Sequence, residues 1–549
     1  MPDLPKKHTL TRQRSITPLL RDFAPLLMLA SALFYTNRWL ALTDEEASTL
    51  SAAAKNVTAI LGTARTAEGN IHPALYELLL HLWLRITGGL FDGLRAPAIV
   101  CFALGLWLLS RVARQLGGEE AGSALVWLGT LWPFGFHAGR LAEPSTFVFL
   151  LIAALTWQYF RYIRSRRRSD WIIFCVLALA LLYTNDFGWA PLILLGVDYW
   201  WRIAKAGPSK SDSTESAGAG REGKIGGILV TAAVLATGFA PRWGIFVREL
   251  HAQLVWPGSA RFVFLNAAYN FYILFVSQSV APWFWRFSIP AAIGIVVLLA
   301  IVVAGIGGEV RRFLMFSVLL FVLMAAAGIL QAKWLLLLGP WFLLPIAIAL
   351  GTIENWHWRV PMAVALAMVA TIGWYGALNR RYYAEARFFE PWSTVADDAA
   401  QALRGGAGVI GNDEAFFFYL TYALKPGQAN SSWRFTGALP MQLQYPSVWD
   451  PLQWAEAGRP KPATVLWIRG SSAPDELKAM NDAGEWLSGQ CGDRITRYLA
   501  RDLAYTWKQR FVPHFSGPAW RIEIRQYFCG QSASESAPVP GSAAPNGSH

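Results

Sequence analysis

The chain has 549 residues, 54% of them apolar and only 15% charged. That balance excludes an ordinary soluble globular protein, since many nearly uncharged segments are long enough to cross about 30 Å of hydrocarbon. The net charge of +12 does not indicate nucleic acid: the basic residues sit between apolar runs, where they report topology, and form no basic face interleaved with exposed aromatics.

Residues 1–21 are basic (Lys6, Lys7, Arg12, Arg14, Arg21) and are read as a cytoplasmic N-terminus. Ala30-Ser31-Ala32 imitates a signal cleavage site, but the apolar run continues to Leu42, which favours an uncleaved first span. Asp44, Glu45 and Glu46 then stand at the membrane boundary. Arg111 and Arg114 end one span, and the arginines from Arg161 to Arg168 end another two spans later, so both turns are expected to be cytoplasmic. The turn between them, His137 to Pro144, is therefore placed outside, and parity puts the whole first loop, 43–94, on that outer face. Within it, Pro73–Ile86 reads as an interfacial helix, with Leu75, Leu79, Leu82 and Ile86 at helical spacing.

Trp171–Tyr183 and Phe187–Trp201 are expected to form a hairpin of spans around Thr184-Asn185-Asp186. Residues 202–224 are Lys-, Ser- and Gly-rich and read as a cytoplasmic linker. A span near Ile225–Pro241 leads to an outer aromatic loop, 242–285, followed by spans near Phe287–Ile306, Phe313–Gln331, Trp334–Leu350 and Val360–Ala377. The sum is a polytopic α-helical membrane protein of about eleven transmembrane helices, N-terminus in and C-terminus out.

After this transmembrane region, 22–378, the composition becomes mixed. Gly408–Ile410 and Thr464–Ile468 read as buried strands and Thr394–Leu403 as a helix, giving an extracytoplasmic α/β domain over 379–530 and a disordered tail, 531–549, rich in Ser, Ala, Pro and Gly. Cys101 and Cys175 fall inside apolar runs. Cys491 and Cys529 are candidates for a disulfide if their domain is extracytoplasmic, with pairing left open by sequence.

Parity collects Asp44, Glu45, His72, Glu143, Asp186 and Lys333 on one face, while the centres of the spans are almost free of charge. A transporter more typically buries ionisable groups at the midplane. Charge gathered at one rim suits chemistry on a lipid-tethered substrate. Each residue also has a plainer reading: the Asp44–Glu46 cluster as the solvated end of a span, His72 as a helix-start polar residue, Glu143 as an acid favoured by the helix dipole, Arg140 as a turn residue, Lys333 as a snorkelling lysine, and Asp186 as a turn residue.

The segments Thr43-Asp44-Glu45, His72-Pro73-Ala74-Leu75-Tyr76, Arg111-Val112-Ala113-Arg114, Gly139 to Pro144, and Tyr183-Thr184-Asn185-Asp186 resemble, in order and sidedness, the GT-C superfamily of integral membrane glycosyltransferases. The likeness is to the protein O-mannosyltransferase and lipid A aminoarabinose transferase branch. It covers about Leu20 to Trp200 well and later spans only in layout. The resemblance implies a polyprenyl-phosphate sugar donor, an acceptor (protein, lipid or glycan) met on the outer face, and inversion at the anomeric carbon. It implies that Asp44 is the central catalytic acid–base residue, supported by Glu45. His72 stands where aminoarabinose transferases carry a lysine, and Lys333-Trp334 where the family often shows Arg-Tyr. His72, Arg140, Glu143 and Lys333 are thus the candidate substrate- and phosphate-binding residues. No cofactor is required by these residues, and a divalent metal stays open.

The expected localisation is a bacterial inner membrane with the site facing the periplasm or exterior. The rival readings are a lipid-linked glycan polymerase or ligase, a transporter or flippase with Asp44 and Arg140 on its path, and a non-catalytic scaffold.

Overall fold

The computed structural model describes residues 17–37, 42–66, 73–88, 93–205, 214–253, 260–328, 330–378, 391–424, 447–456, 462–470, 474–492, 494–501, 509 and 519–529. Among these the chain is a helical bundle followed by an α/β unit. Six helices are long and apolar enough to cross a membrane, and two shorter apolar helices, Asp22–Thr36 and Val263–Val276, join them. The protein is thus an integral membrane protein by the length and composition of its helices.

Helix α1 (Thr17–Thr36) leads to three short helices, α2 (Asp44–Ala54), α3 (Val57–Thr66) and α4 (Leu75–Thr87). Helix α5 (Ala96–Leu131) is two helices in one, broken at Gly118, where φ is 85° and only a residue without Cβ sits easily. The short α6 (Pro133–Ala138) and the turn after it lead into α7 (Pro144–Ser165). α8 (Arg168–Leu182) and α9 (Trp189–Lys205) form a hairpin around Asn185, whose side chain accepts the Phe187 N–H. α10 (Thr214–Phe239) starts within the interval read as a linker, because its described residues from Thr214 continue the same helix. The interval 242–285 holds α11 (Trp243–Gln253) and α12 (Ala260–Val276), and the end of α12 packs in the bundle core through Ile273, Leu274 and Val276. α13 (Trp285–Gly305), α14 (Gly308–Ala326), α15 (Leu335–Thr352) and α16 (Trp356–Leu378) complete the bundle.

α15 is the centre. Every residue from Leu335 to Ala349 is buried, and α15 presses so closely on α5 that a Cβ at Gly351 would lie 2.4 Å from the Ala121 amide nitrogen. α13 and α16 are peripheral, with Val296 66% and Val364 60% exposed. In water such valines would be costly; in hydrocarbon they match their solvent.

The C-terminal unit is a five-stranded mixed sheet in the order β2 (Val448–Trp449), β1 (Gly408–Gly411), β3 (Thr464–Arg469), β5 (Trp520–Phe528), β4 (Arg494–Arg501). β1 runs parallel to β2 and β3, and β5 runs antiparallel to both β3 and β4. Cys491 and Cys529 are joined in a disulfide that ties the end of the preceding helix, Pro474–Gln490, to the end of β5.

This unit does not have a core of its own on every side. Trp392, Ala396 and Ala400 of α17 (Trp392–Arg404) and Phe416 and Leu420 of α18 (Glu414–Ala423) share one buried cluster with Ala47, Leu50 and Ala53 of α2 and Tyr76, Leu80 and Leu84 of α4. The Leu42 N–H donates to the Tyr419 hydroxyl oxygen at 3.0 Å. The stripe read as facing the interface on α4 is the outward one, with Leu82 61% and Ile86 69% exposed. The helix is apolar on two sides, and its docked side is the Tyr76–Leu80–Leu84 one.

Candidate active site

Thr43 is the N-cap of α2 and forms a capping box with Glu46: the Thr43 hydroxyl accepts the Glu46 N–H, and the Glu46 carboxylate accepts the Thr43 N–H, both at 3.1 Å. The same carboxylate, fully buried, takes the fork of Arg95, with Nε to Oε1 at 2.7 Å and Nη2 to Oε2 at 2.6 Å, and also accepts the Ala142 N–H at 2.7 Å. One carboxylate therefore joins the first loop, the start of α5 and the α6–α7 turn. A bidentate Arg–carboxylate pair with its remaining lone pairs filled is the form in which a buried charge is tolerated.

The hydroxyl of Thr43 passes the network onward, donating to Glu143 Oε1 at 3.3 Å. Glu143 occupies the N-cap position of α7, with Pro144 next, yet makes no side-chain cap. Its carboxylate turns toward the first loop, from the N-terminal end of α7 where the helix dipole also favours an acid. Arg140 donates from Nη1 to the Thr36 hydroxyl at 2.6 Å, and its guanidinium lies 4.8 Å from the Phe136 ring centre. It fastens the end of α1 to the turn.

Between these elements is a small cleft of about 30 Å³, walled by Thr43, Glu45, His137, Glu143, Ser145 and Gln278, with Phe134, Ala138, Leu141 and Ala332 supplying apolar surface. Glu45 and Glu143 are thus brought together, whereas Arg140 is not among the lining residues. The Asp44 backbone opens α2 between Thr43 and Glu45; its side chain lies outside the described residues, as does that of Lys333, whose backbone follows Ala332 in a single 3-10 turn. His72 lies outside the described residues altogether. Among the described residues no three His, Cys, Asp or Glu side chains converge as a metal site.

A second polar group lies beside α4. Its N-terminus is pinned by the Leu75 N–H donating to the Tyr183 carbonyl at 3.1 Å. Asp186 is more than a turn residue: it takes Arg242 in a buried bidentate pair, both bonds 3.0 Å. Glu77 is buried nearby, and its pKa is pushed up to about 7 by that burial, with the Arg242 charge opposing. The Tyr76 hydroxyl is raised well above its ordinary value, by burial first and then by the Cys101 thiol and the Glu46, Glu143 and Glu77 carboxylates around it.

Glu46, Arg95, Gln278 and the Asp186–Arg242 pair were not singled out by sequence reasoning. Thr43-x-x-Glu46 is the capping-box spacing and was the one signal available for Glu46. The others come from segments distant in the chain.

Residues 71–199 match a protein-family model described as dolichyl-phosphate-mannose-protein mannosyltransferase. No curated protein sequence matches the chain. Among solved structures the chain is similar to ArnT from Cupriavidus metallidurans in the apo state, at 14% identity and TM-score 0.51, over 92% of this chain and 97% of that one. It is likewise similar to the same ArnT bound to undecaprenyl phosphate, at 14% identity and TM-score 0.53, over 93% and 98%. The family match covers α4 and the turns and helices that follow it, up to residue 199, and the likeness to the two ArnT structures shows a shared fold over nearly the whole length.

Proposed function

We propose that this protein moves a sugar from a polyprenyl-phosphate donor to an acceptor at the extracytoplasmic face, with inversion, and that Asp44 is the base. The observation that carries the reading is the cleft at one rim of the bundle, where the first turn of α2 meets the α6–α7 turn with Glu45 and Glu143 on its walls. The family match supports the reaction class, and the solved ArnT that binds undecaprenyl phosphate supports the donor class. The disulfide supports an extracytoplasmic place for the C-terminal unit, and so a C-out end to the bundle. The exposed Leu82–Ile86 side of α4 supports a helix lying along the interface.

In the reaction the acceptor hydroxyl attacks the anomeric carbon from the face opposite the lipid. Its oxygen forms the new bond, the bond from that carbon to the phosphate oxygen breaks, and polyprenyl phosphate leaves with the electron pair. Asp44 takes the hydroxyl proton. The leaving phosphate needs positive charge more than a proton, a task assigned to His72 and Lys333. Arg140, committed to Thr36 and Phe136, is assigned to holding the turn. Glu46 and Arg95 fix the first turn of α2 against the α6–α7 turn, and Glu143 orients Thr43.

The test is donor turnover by purified wild type and Asp44→Asn on a panel of radiolabelled polyprenyl-phosphate sugars with a membrane-extract acceptor pool. Wild type is expected to release label and the variant to fall about a thousandfold. Equal release by both removes Asp44 from the mechanism. No release from any sugar, by wild type shown to be folded, overturns the reading.

A further inference from the structure

We infer that Gln278 reads the sugar: its side-chain amide contacts a hydroxyl of the transferred glycosyl group in the cleft beside Glu45 and Glu143. The assignment rests on the donor reading above and names the part of the donor that this wall meets.

Helix α12 stops at Val276, and the next residue, Ser277, is fully buried with φ at 74°. A non-glycine residue rarely adopts that conformation, and it persists only where its surroundings enforce it. The Ser277 N–H still donates to the Ile273 carbonyl at 2.8 Å, so the left-handed residue ends the helix and turns the chain at once. The turn delivers Gln278 to the cleft wall.

The segment on either side is held firmly. Trp132 Nε1 donates to the Leu274 carbonyl at 2.6 Å, and the Ser279 hydroxyl donates to the Gly373 carbonyl at 3.1 Å. A Cβ at Gly376 would come within 2.3 Å of Val280, so α16 closes over the segment from behind.

Gln278 is only 4% exposed and stands on the wall of the cleft. An amide on the wall of a cavity finds its hydrogen-bond partners in whatever fills that cavity. Here a rigid and unusual backbone presents such an amide to a cavity, which is the arrangement expected of a group completed by a ligand. The chemistry of the walls narrows the ligand. Glu45 and Glu143 disfavour an anionic phosphate in the same small space. An amide offers both a donor and an acceptor, as a hydroxyl does. At about 30 Å³ the cleft admits a hydroxyl-bearing edge, not a whole sugar ring.

The experiment compares binding of bare undecaprenyl phosphate with undecaprenyl phosphates carrying a hexose, a pentose or an aminopentose, by full-length wild type and Gln278→Leu in nanodiscs. The variant is expected to bind the bare lipid as wild type does, and to bind the glycosylated lipid that wild type prefers about tenfold more weakly. If Gln278→Leu does not fold, Gln278→Asn is read in the same way, with an expected selective loss of about threefold. Loss of equal size on bare and glycosylated lipid, no loss at all, or a wild type that does not distinguish the two overturns the assignment to Gln278 while leaving the polyprenyl-phosphate reading in place. A folded wild type that binds none of the four removes that reading, and Gln278 falls with it.

Discussion

Asp198, at the end of the bundle away from the cleft, and Glu46, beside it, are both buried carboxylates held by arginine, but their settings differ. Asp198 is enclosed by groups that use it up: the Tyr159 hydroxyl at 2.5 Å, Arg202 at 2.6 Å and Arg312 at 3.2 Å, from three helices. Tyr159, one of those partners, lines a cavity of about 390 Å³ whose walls are mostly apolar. Glu46 is equally buried and equally well paired, but the network it anchors continues through Thr43 to Glu143 and opens on a cleft. The first cluster clamps helices. The second clamps loops, and does so beside a cleft with polar walls.

Breaking each clamp tests that contrast. Glu46→Ala leaves the Arg95 guanidinium buried without its carboxylate and is expected to cost about 3–5 kcal/mol; transfer should also be lost, because three segments lose their common anchor. A variant with wild-type melting and wild-type turnover would break the comparison. Asp198→Asn is expected to lower stability by about 3 kcal/mol while donor turnover per folded molecule stays within about twofold. A tenfold fall in turnover would mean that the far end is coupled to the cleft.

Glu77 gives an effect confined to one side of neutrality, the one that pH can dissect. Its folded pKa of about 7 lies above the ordinary 4.5, so the folded state holds the proton more tightly. The associated stability is complete below about pH 4.5 and is lost as pH rises through about 7. Glu77→Gln, neutral throughout, should melt like wild type at pH 4.5 and be more stable than it at pH 8, by about 3 kcal/mol. Equal melting of the two proteins at pH 8 would show that Glu77 is not penalised there.

The helical bundle was legible because its signals are local. The arginines just before the Gly118 break and those between α7 and α8, like the Thr184–Asp186 hairpin, depend on composition over a dozen residues. Part of the cleft was legible for the same reason: Glu45 and Glu143 stand at span ends and line the same small space. What was hidden depends on phase and on distance. Three acids in a row do not say which one turns inward; helix phase does, since Glu46 lies four residues before Leu50 on the buried side of α2. On α4 two apolar stripes compete, and only the docking of α17 and α18 against α2 and α4 chooses Tyr76–Leu80–Leu84. The Asp186–Arg242 pair spans 56 residues and Arg95–Glu46 spans 49. Gln278 carries no local signal, because its character comes from a backbone turn at Ser277 and from walls made by other helices.

The bond from Leu42 to Tyr419 closes a separation of 377 residues. In a chain made and inserted from its N-terminus, α2 and α4 emerge long before the helices that cover them, by about 20–75 s at roughly 5–20 residues per second. The sheet beneath α17 and α18 waits longer, because β5, a central strand, is the last one made. The site's first loop is therefore assembled last although it is synthesised first, and a growing chain halted before Trp520 would already have its bundle helices but not the finished cover over Leu50 and Leu80.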